Sequence, residues 1–208
     1  MRLLLNQKTV SDQPALLFDL LSLIELDAQF LRASYPLFNN WLAKKVVPGI
    51  CAGERTVLIE CRESAPVGLL IVKHTPEEKK LCTLRVRPHF ESKGLGIKLF
   101  ETAFELLETD RPLVSVSEIA LSKFSKIFEH FGFSHEASYE GVYLPKVVEF
   151  SFNGVLSNAR CAQRETSLSS IFRCEDQFSR LRPHRIRGAP DFAMKSPVRL
   201  LNGRTFCD

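Results

Sequence analysis

The residues best placed to do chemistry are a glycine pair at the mouth of a helix. Leu81, Thr83, Arg85 and Arg87 alternate with Cys82, Leu84 and Val86, the periodicity of a strand. Pro88 ends that strand, because proline offers no N–H to a ladder. A short polar loop leads to Gly94-Leu95-Gly96, after which Leu95, Leu99, Phe100, Ala103, Leu106 and Leu107 recur at helical spacing. Such a loop suits an anion. Glycine lets the backbone turn and approach a ligand closely, and the first N–H groups of a helix point outward at the positive end of its dipole. A Walker loop is absent, and the third position of a dinucleotide fingerprint is Leu99. Lys93 and Lys98 flank the glycines, either as added positive charge or as ordinary solvated lysines.

The elements that must position this loop follow in chain order. Arg2 to Asn6 reads as a first strand. Ser11 and Asp12 are candidate caps, with Pro14 allowed in the first turn. Leu16, Leu17, Leu20, Leu21 and Ile24 then form a helical stripe. A second helix starts near Pro36, with Leu37, Phe38, Trp41, Leu42 and Val46 on its apolar face, and Pro48-Gly49 is expected to stop it. Its polar content, including Asn39, Asn40, Lys44 and Lys45, reads either as a groove wall or as a solvated face. RTVLIEC (55–61) and PVGLLIVK (66–73) are consecutive strands that feed the strand before the glycine loop. Beyond the glycine helix come a strand at Leu113–Ser117, a helix from Ile119 or Ala120 to His130 capped by Gly132, and final strands near Phe133–Tyr139 and Lys146–Asn153.

This order, β-α-α-β-β-β-α-β-α-β-β, together with two motifs, resembles the GNAT superfamily of N-acetyltransferases. Val86-Arg87-Pro88, then Glu91-Ser92-Lys93-Gly94-Leu95-Gly96, is similar to the family's pyrophosphate motif, with Glu91 where Arg or Gln is usual. Phe128-Glu129-His130-Phe131-Gly132-Phe133 is similar to its Tyr-Glu-x-x-Gly-Phe ending, with Phe128 in place of tyrosine. The resemblance covers about residues 1–154. It implies an α/β fold: a mixed, mostly antiparallel sheet of about seven strands with four helices. It also implies acetyl-CoA as co-substrate and a primary amine as acceptor, attacked directly.

The resemblance further implies site residues. Leu84, Arg85 and Val86 belong to the strand that splays from its neighbour and binds the pantetheine arm. Ser92, Lys93, Gly94, Leu95, Gly96, Ile97 and Lys98 would hold the pyrophosphate, mostly through backbone N–H groups. An amine near pKa ~10.4 must lose a proton before it attacks. Glu118 and Glu60, at strand ends near the splay, are the candidate bases. Phe128 cannot donate a proton, so Ser125 or Ser122 is the candidate acid. The alternatives are a GNAT-fold module that binds acyl-CoA without turnover, or a nucleic-acid accessory factor acting through the basic tail.

Totals set the remaining bounds. The 208 residues are 45% hydrophobic. The start is too polar for a signal peptide, and no run approaches a membrane span, so a cytoplasmic protein with no membrane partner is expected. The six cysteines lack CxxC spacing and the five histidines are scattered, which predicts neither metal nor disulfides. Residues 1–154 carry 18 Lys+Arg against 19 Asp+Glu, whereas residues 155–208 carry 10 against 5, with nine arginines. That basic extension reads as an irregular or partly helical segment. One helix after Ser167 would use Leu168, Ile171, Phe178 and Leu181. Its options are a nucleic-acid or acidic partner, or no partner at all. Oligomeric state stays open, a homodimer included.

Overall fold

The computed structural model describes residues 1–15, 17, 24, 35–63 and 65–157. Met1–Leu156 forms a compact unit. Seven strands make one sheet in the order β1-β2-β3-β4-β5-β7-β6. They are β1 Arg2–Leu5, β2 Arg55–Arg62, β3 Ala65–His74, β4 Lys79–Val86, β5 Leu113–Ser117, β6 His135–Glu140 and β7 Val148–Phe152. Every pairing is antiparallel except β4 with β5. This is the mixed, mostly antiparallel sheet expected of the GNAT fold.

The helices divide between the two faces. On one face Leu5, Val57, Ile59, Leu69 and Ile71 pack against residues from α1 (Gln7–Asp12), α2 (Phe38–Trp41) and α3 (Val47–Cys51). On the other, Leu58, Leu70, Val72, Val114 and Val116 pack against α4 (Leu95–Leu107) and α5 (Glu118–His130). α4 sits close on β3 because Gly68 faces it: a Cβ there would stand 3.1 Å from Leu99 Cδ1. The α5 end closes as its sequence suggests, with Gly132 N–H donating to Glu129 O at 3.0 Å and Phe133 N–H to Phe128 O at 2.8 Å.

Two expectations are corrected. A helix begins at Pro14 as expected, but Ser11 and Asp12 do not cap it; they end a separate short helix, α1. Asn6 is its cap, in a reciprocal box with Thr9: Asn6 Oδ1 accepts from Thr9 N–H, and Thr9 Oγ1 accepts from Asn6 N–H, each at 3.0 Å. Nor does Pro48-Gly49 stop the second helix. Leu42–Val46 forms a π-turn, and the helix resumes through Pro48 as α3. A proline removes an N–H bond and crowds the preceding turn; the wider π-turn accommodates both. Of the Leu16–Ile24 stripe, Leu17 and Ile24 are helical and buried. The rest of it lies outside the described residues, as do Cys161, Cys174, Cys207 and the extension from 158 onward. Cys51, Cys61 and Cys82 are free thiols. Among the described residues, no helix is long and apolar enough to cross a membrane.

Candidate active site

β4 and β5 form a fork. They pair only at Lys80↔Leu113 and Leu81↔Val114. Beyond Leu81 the strands part, each held on its far side: β4 by β3 up to Val86↔Gly68, and β5 by β7 up to Ser117↔Glu149. Arg87 N–H donates to Val67 O at 2.9 Å, and Arg85 is in register with Leu69. Antiparallel alternation therefore turns the N–H and C=O groups of Arg85 toward β3 and those of Leu84 and Val86 into the fork. Of the three β4 residues singled out in the sequence, two present backbone groups to the opening.

The glycine loop stands at the open end of the same strand. Pro88–Phe90 makes one 3₁₀ turn, and α4 begins at Leu95. Ser92 (φ 59) and Gly94 (φ 78) are both left-handed, a succession that gathers N–H groups into an anion-binding concavity. A Cβ on Gly94 would meet nothing within 4 Å, so the loop opens outward there. Gly94 caps α4 without a side-chain bond, and no acidic residue lies in the first turn. Lys98 N–H is bonded to Gly94 O at 3.2 Å, so the N–H groups of Leu95, Gly96 and Ile97 precede the first bond of the helix. Gly96 has a second use: a Cβ there would press to 3.3 Å from Ile127 Cδ1, so its absence lets α5 lie close to α4. Lys93 Nζ folds back over the Phe90 ring at 5.8 Å. Glu91, of the wrong sign for a phosphate, is held by Lys123 Nζ at 3.2 Å.

The other named residues have structural partners. Glu60 Oε2 accepts from Arg2 Nε at 2.8 Å and ties β1 to β2. Glu118 Oε1 accepts from Val148 N–H at 3.0 Å and ties the start of α5 to the start of β7. The Ser125 hydroxyl donates to Ser122 O at 3.2 Å on the exposed side of α5. Phe128 is buried, its ring centroid 4.4 Å from that of Phe152.

A buried polar cluster beside the fork was not singled out in the sequence. Glu149 on β7 is 3% exposed and lies opposite Ser117, which is 2% exposed. Ser115, the first β5 residue beyond the last β4 rung, is on the same face, as is Ser151. Glu149 Oε1 and Ser117 Oγ have no hydrogen-bond partner among the described residues. Burial pushes the Glu149 carboxyl up to about 7, against the opposing pull of the Ser115 hydroxyl and the Lys80 ammonium. Tyr35 lies over the cluster, its ring edge-on to Tyr143 at 5.3 Å between centroids. Burial first, then the Glu149 charge and Tyr143, push the Tyr35 phenol well above its ordinary value, while Ser117 draws it down. Ser117 Oγ lies close enough to the Tyr35 phenol to influence it but makes no hydrogen bond of good geometry. A signal was present in the sequence: LVSVS and VEFSF both alternate, and pairing them brings Ser115, Ser117, Glu149 and Ser151 to one face.

No family model matches the chain, and no curated protein matches it. Solved structures do. A Desulfovibrio desulfuricans protein described as a GNAT-family acetyltransferase shares 19% identity at a TM-score of 0.44, over 53% of this chain and 74% of its own. A Bacillus subtilis acetyltransferase solved with CoA shares 13% at 0.43, over 55% and 86%. The ribosomal-protein-S18-alanine N-acetyltransferase of Escherichia coli shares 17% at 0.40, over 47% and 65%.

Proposed function

We propose that the protein is an acetyl-CoA-dependent N-acetyltransferase acting on a primary amine by direct attack. The observation that carries this reading is the fork, opening at Leu81 and Val114, with an uncapped helix start at the outer end of the same strand. The loop fits a pyrophosphate: it has outward N–H groups, two left-handed residues, open space at Gly94 and an acidic neighbour already paired with Lys123. In this reading the backbone of Ser92, Lys93, Gly94, Leu95, Gly96, Ile97 and Lys98 holds the diphosphate. The pantetheine arm lies in the fork against Leu84 and Val86, with Arg85 contributing through its strand register. The Val86 N–H polarises the thioester carbonyl, a donor placed where negative charge develops. Holding thioester and amine side by side contributes roughly 7–11 kcal/mol through positioning.

Carboxylate roles divide by geometry. Glu60 is engaged by Arg2 and Glu118 by the Val148 N–H, so both act by positioning strands. Ser125 spends its hydroxyl on Ser122 O. Phe128 offers no proton, so the departing thiolate takes one from the attacking nitrogen or from water. The acceptor is a small amine, a protein amine or an aminoacyl group.

The test uses charge without bulk. Gly94→Asp and Gly94→Asn have nearly the same shape, both tolerate left-handed backbone, and both cap a helix well. Acetyl-CoA affinity measured by calorimetry is expected to be about tenfold or more weaker for Asp than for Asn, since one carries a charge beside the diphosphate. Equal affinities would sink the cofactor reading.

A further inference from the structure

We propose that Glu149, with the hydroxyls of Ser117 and Tyr35, seats the acceptor's ammonium group and takes its proton. This rests on the acetyltransferase reading above and adds the acceptor half of the site.

The argument begins with an unsatisfied group. A buried carboxylate is stable only when paired or hydrogen-bonded. Glu149 Oε1 lacks a hydrogen-bond partner, and so does the Ser117 Oγ opposite it. Among the described residues, the charged and titratable groups coupled to Glu149 are Lys80 from β4 and Tyr35 from the covering segment, with Tyr143 coupled in turn to Tyr35, and the Ser115 hydroxyl also reaches the carboxyl. Tyr139 is its register partner on β6, but the Tyr139 hydroxyl already accepts from Leu156 N–H at 3.0 Å. Arg85 shares this face of β4, since Leu84 and Val86 pack in the opposite core. None of these closes a direct bond to Oε1. Oε1 therefore still lacks an N–H donor.

A primary ammonium matches these groups in chemical type. It carries three N–H groups. Glu149 Oε1, Ser117 Oγ and Tyr35 Oη supply three acceptors. One carboxylate among neutral hydroxyls suits an ammonium better than a divalent cation, which favours several carboxylate or carbonyl oxygens. The Tyr35–Tyr143 pair forms an aromatic wall beside the seat, and Tyr143, Val142 and Leu37 are exposed apolar residues near it in the chain. The acceptor is therefore an ammonium on an apolar or aromatic stem.

Position ties the seat to the reaction. Ser115 and Ser117 lie one and three residues beyond the last rung between β4 and β5. Glu149, opposite Ser117, is thus at the far end of the β5 arm of the fork, whose β4 arm leads to the glycine loop. The seat is also held from behind, where Glu118 Oε1 bonds Val148 N–H. A carboxyl titrating near 7 is half ionised at neutral pH, as a general base requires. The step balances. The Glu149 carboxylate takes one proton from R–NH₃⁺, and the nitrogen lone pair forms the C–N bond at the thioester carbonyl. The C–S bond breaks, and the thiolate leaves with a second proton from the nitrogen. The proton on Glu149 passes to solvent.

The experiment uses the full chain with phenethylamine and n-butylamine as probes. Thiol release from acetyl-CoA is followed between pH 5.5 and 9, and amine and acetyl-CoA binding are measured by calorimetry. Glu149→Gln is expected to lower kcat/KM about 100-fold or more and to erase the acid limb near pH 7, with acetyl-CoA affinity unchanged. Ser117→Ala should raise the amine KM with little change in kcat, which keeps the proposal testable if the first variant folds poorly. Phenethylamine should bind more tightly than n-butylamine. An acid limb intact in Glu149→Gln, or an amine KM intact in Ser117→Ala, overturns the assignment. If the wild type neither binds acetyl-CoA nor releases thiol, the acetyltransferase reading fails instead. Amine calorimetry then still decides the seat: binding at pH 8 lost in Glu149→Gln supports it, and equal binding overturns it.

Discussion

β5 and β7 have two faces of opposite character, and both are buried. On one, Val114, Val116 and Phe152 join Phe100 and Phe128 in an aromatic core. On the other, Ser117, Glu149 and Ser151 are as well covered and yet polar. The same ten residues of strand supply both, by alternation alone. Apolar burial stabilises in proportion to area; a buried polar face stabilises only where its groups find partners. The first face holds the fold together. The second has polar atoms left unpaired, which a domain keeps most readily where a ligand completes them.

Three changes test this contrast. The largest effect is expected on the aromatic face. Phe128→Ala removes a ring stacked near Phe124 and Phe133, with centroids at 5.8 and 5.5 Å, and packed on Phe152. It should destabilise by about 3–5 kcal/mol, read from urea unfolding.

The intermediate effect is a pH slope. The Glu149 carboxyl titrates at about 7 in the folded chain against 4.5 for an ordinary glutamate. Between those values the folded chain holds a proton that the unfolded chain has released. Stability from this group is therefore greatest below about pH 4.5 and falls as pH rises through 7. The loss should amount to roughly 2–3 kcal/mol. Unfolding midpoints at pH 5 and pH 8 would show it, and Glu149→Gln should abolish the difference. A wild type equally stable at both would mean that the carboxyl is better satisfied than its surroundings indicate.

The smallest effect is expected at Ser151→Ala. Its hydroxyl donates to Ala137 O over a long 3.4 Å, so its loss should shift stability by less than about 1 kcal/mol. A large loss there would show that the polar face is structural throughout.

How far these features were legible in the residues differs by region. The glycine loop and α4 were readable because local rules decide them: alternation ends at Pro88, and helical spacing begins at Leu95, where the helix starts. β5 was readable for the same reason. Glu149 was not. In VEFSF it alternates with Val148 and Phe150 as any solvated strand carboxylate would, and its burial, with Tyr35 from more than a hundred residues earlier close by, is set by tertiary structure. Glu118 and Glu60 looked equally available, and their engagement by Val148 and Arg2 depends on strand order. At the N-terminus, the Asn6–Thr9 box starts a separate short helix that takes up Ser11 and Asp12, the residues expected to cap the helix beginning at Pro14.

The π-turn at Leu42–Val46 has a consequence for how α2 and α3 meet the sheet. Phe38, Leu42, Val46 and Ile50 are spaced by four, and all four are buried. In a regular helix of 3.6 residues per turn, each such step drifts by about 40°, so the fourth residue would point some 120° away from the first. The looser turn offsets part of that drift, and all four side chains join one core cluster. Removing a single residue between Leu42 and Val46 would restore regular winding and a 4-3-4 spacing, which keeps Phe38 and Ile50 on one face within about 20°.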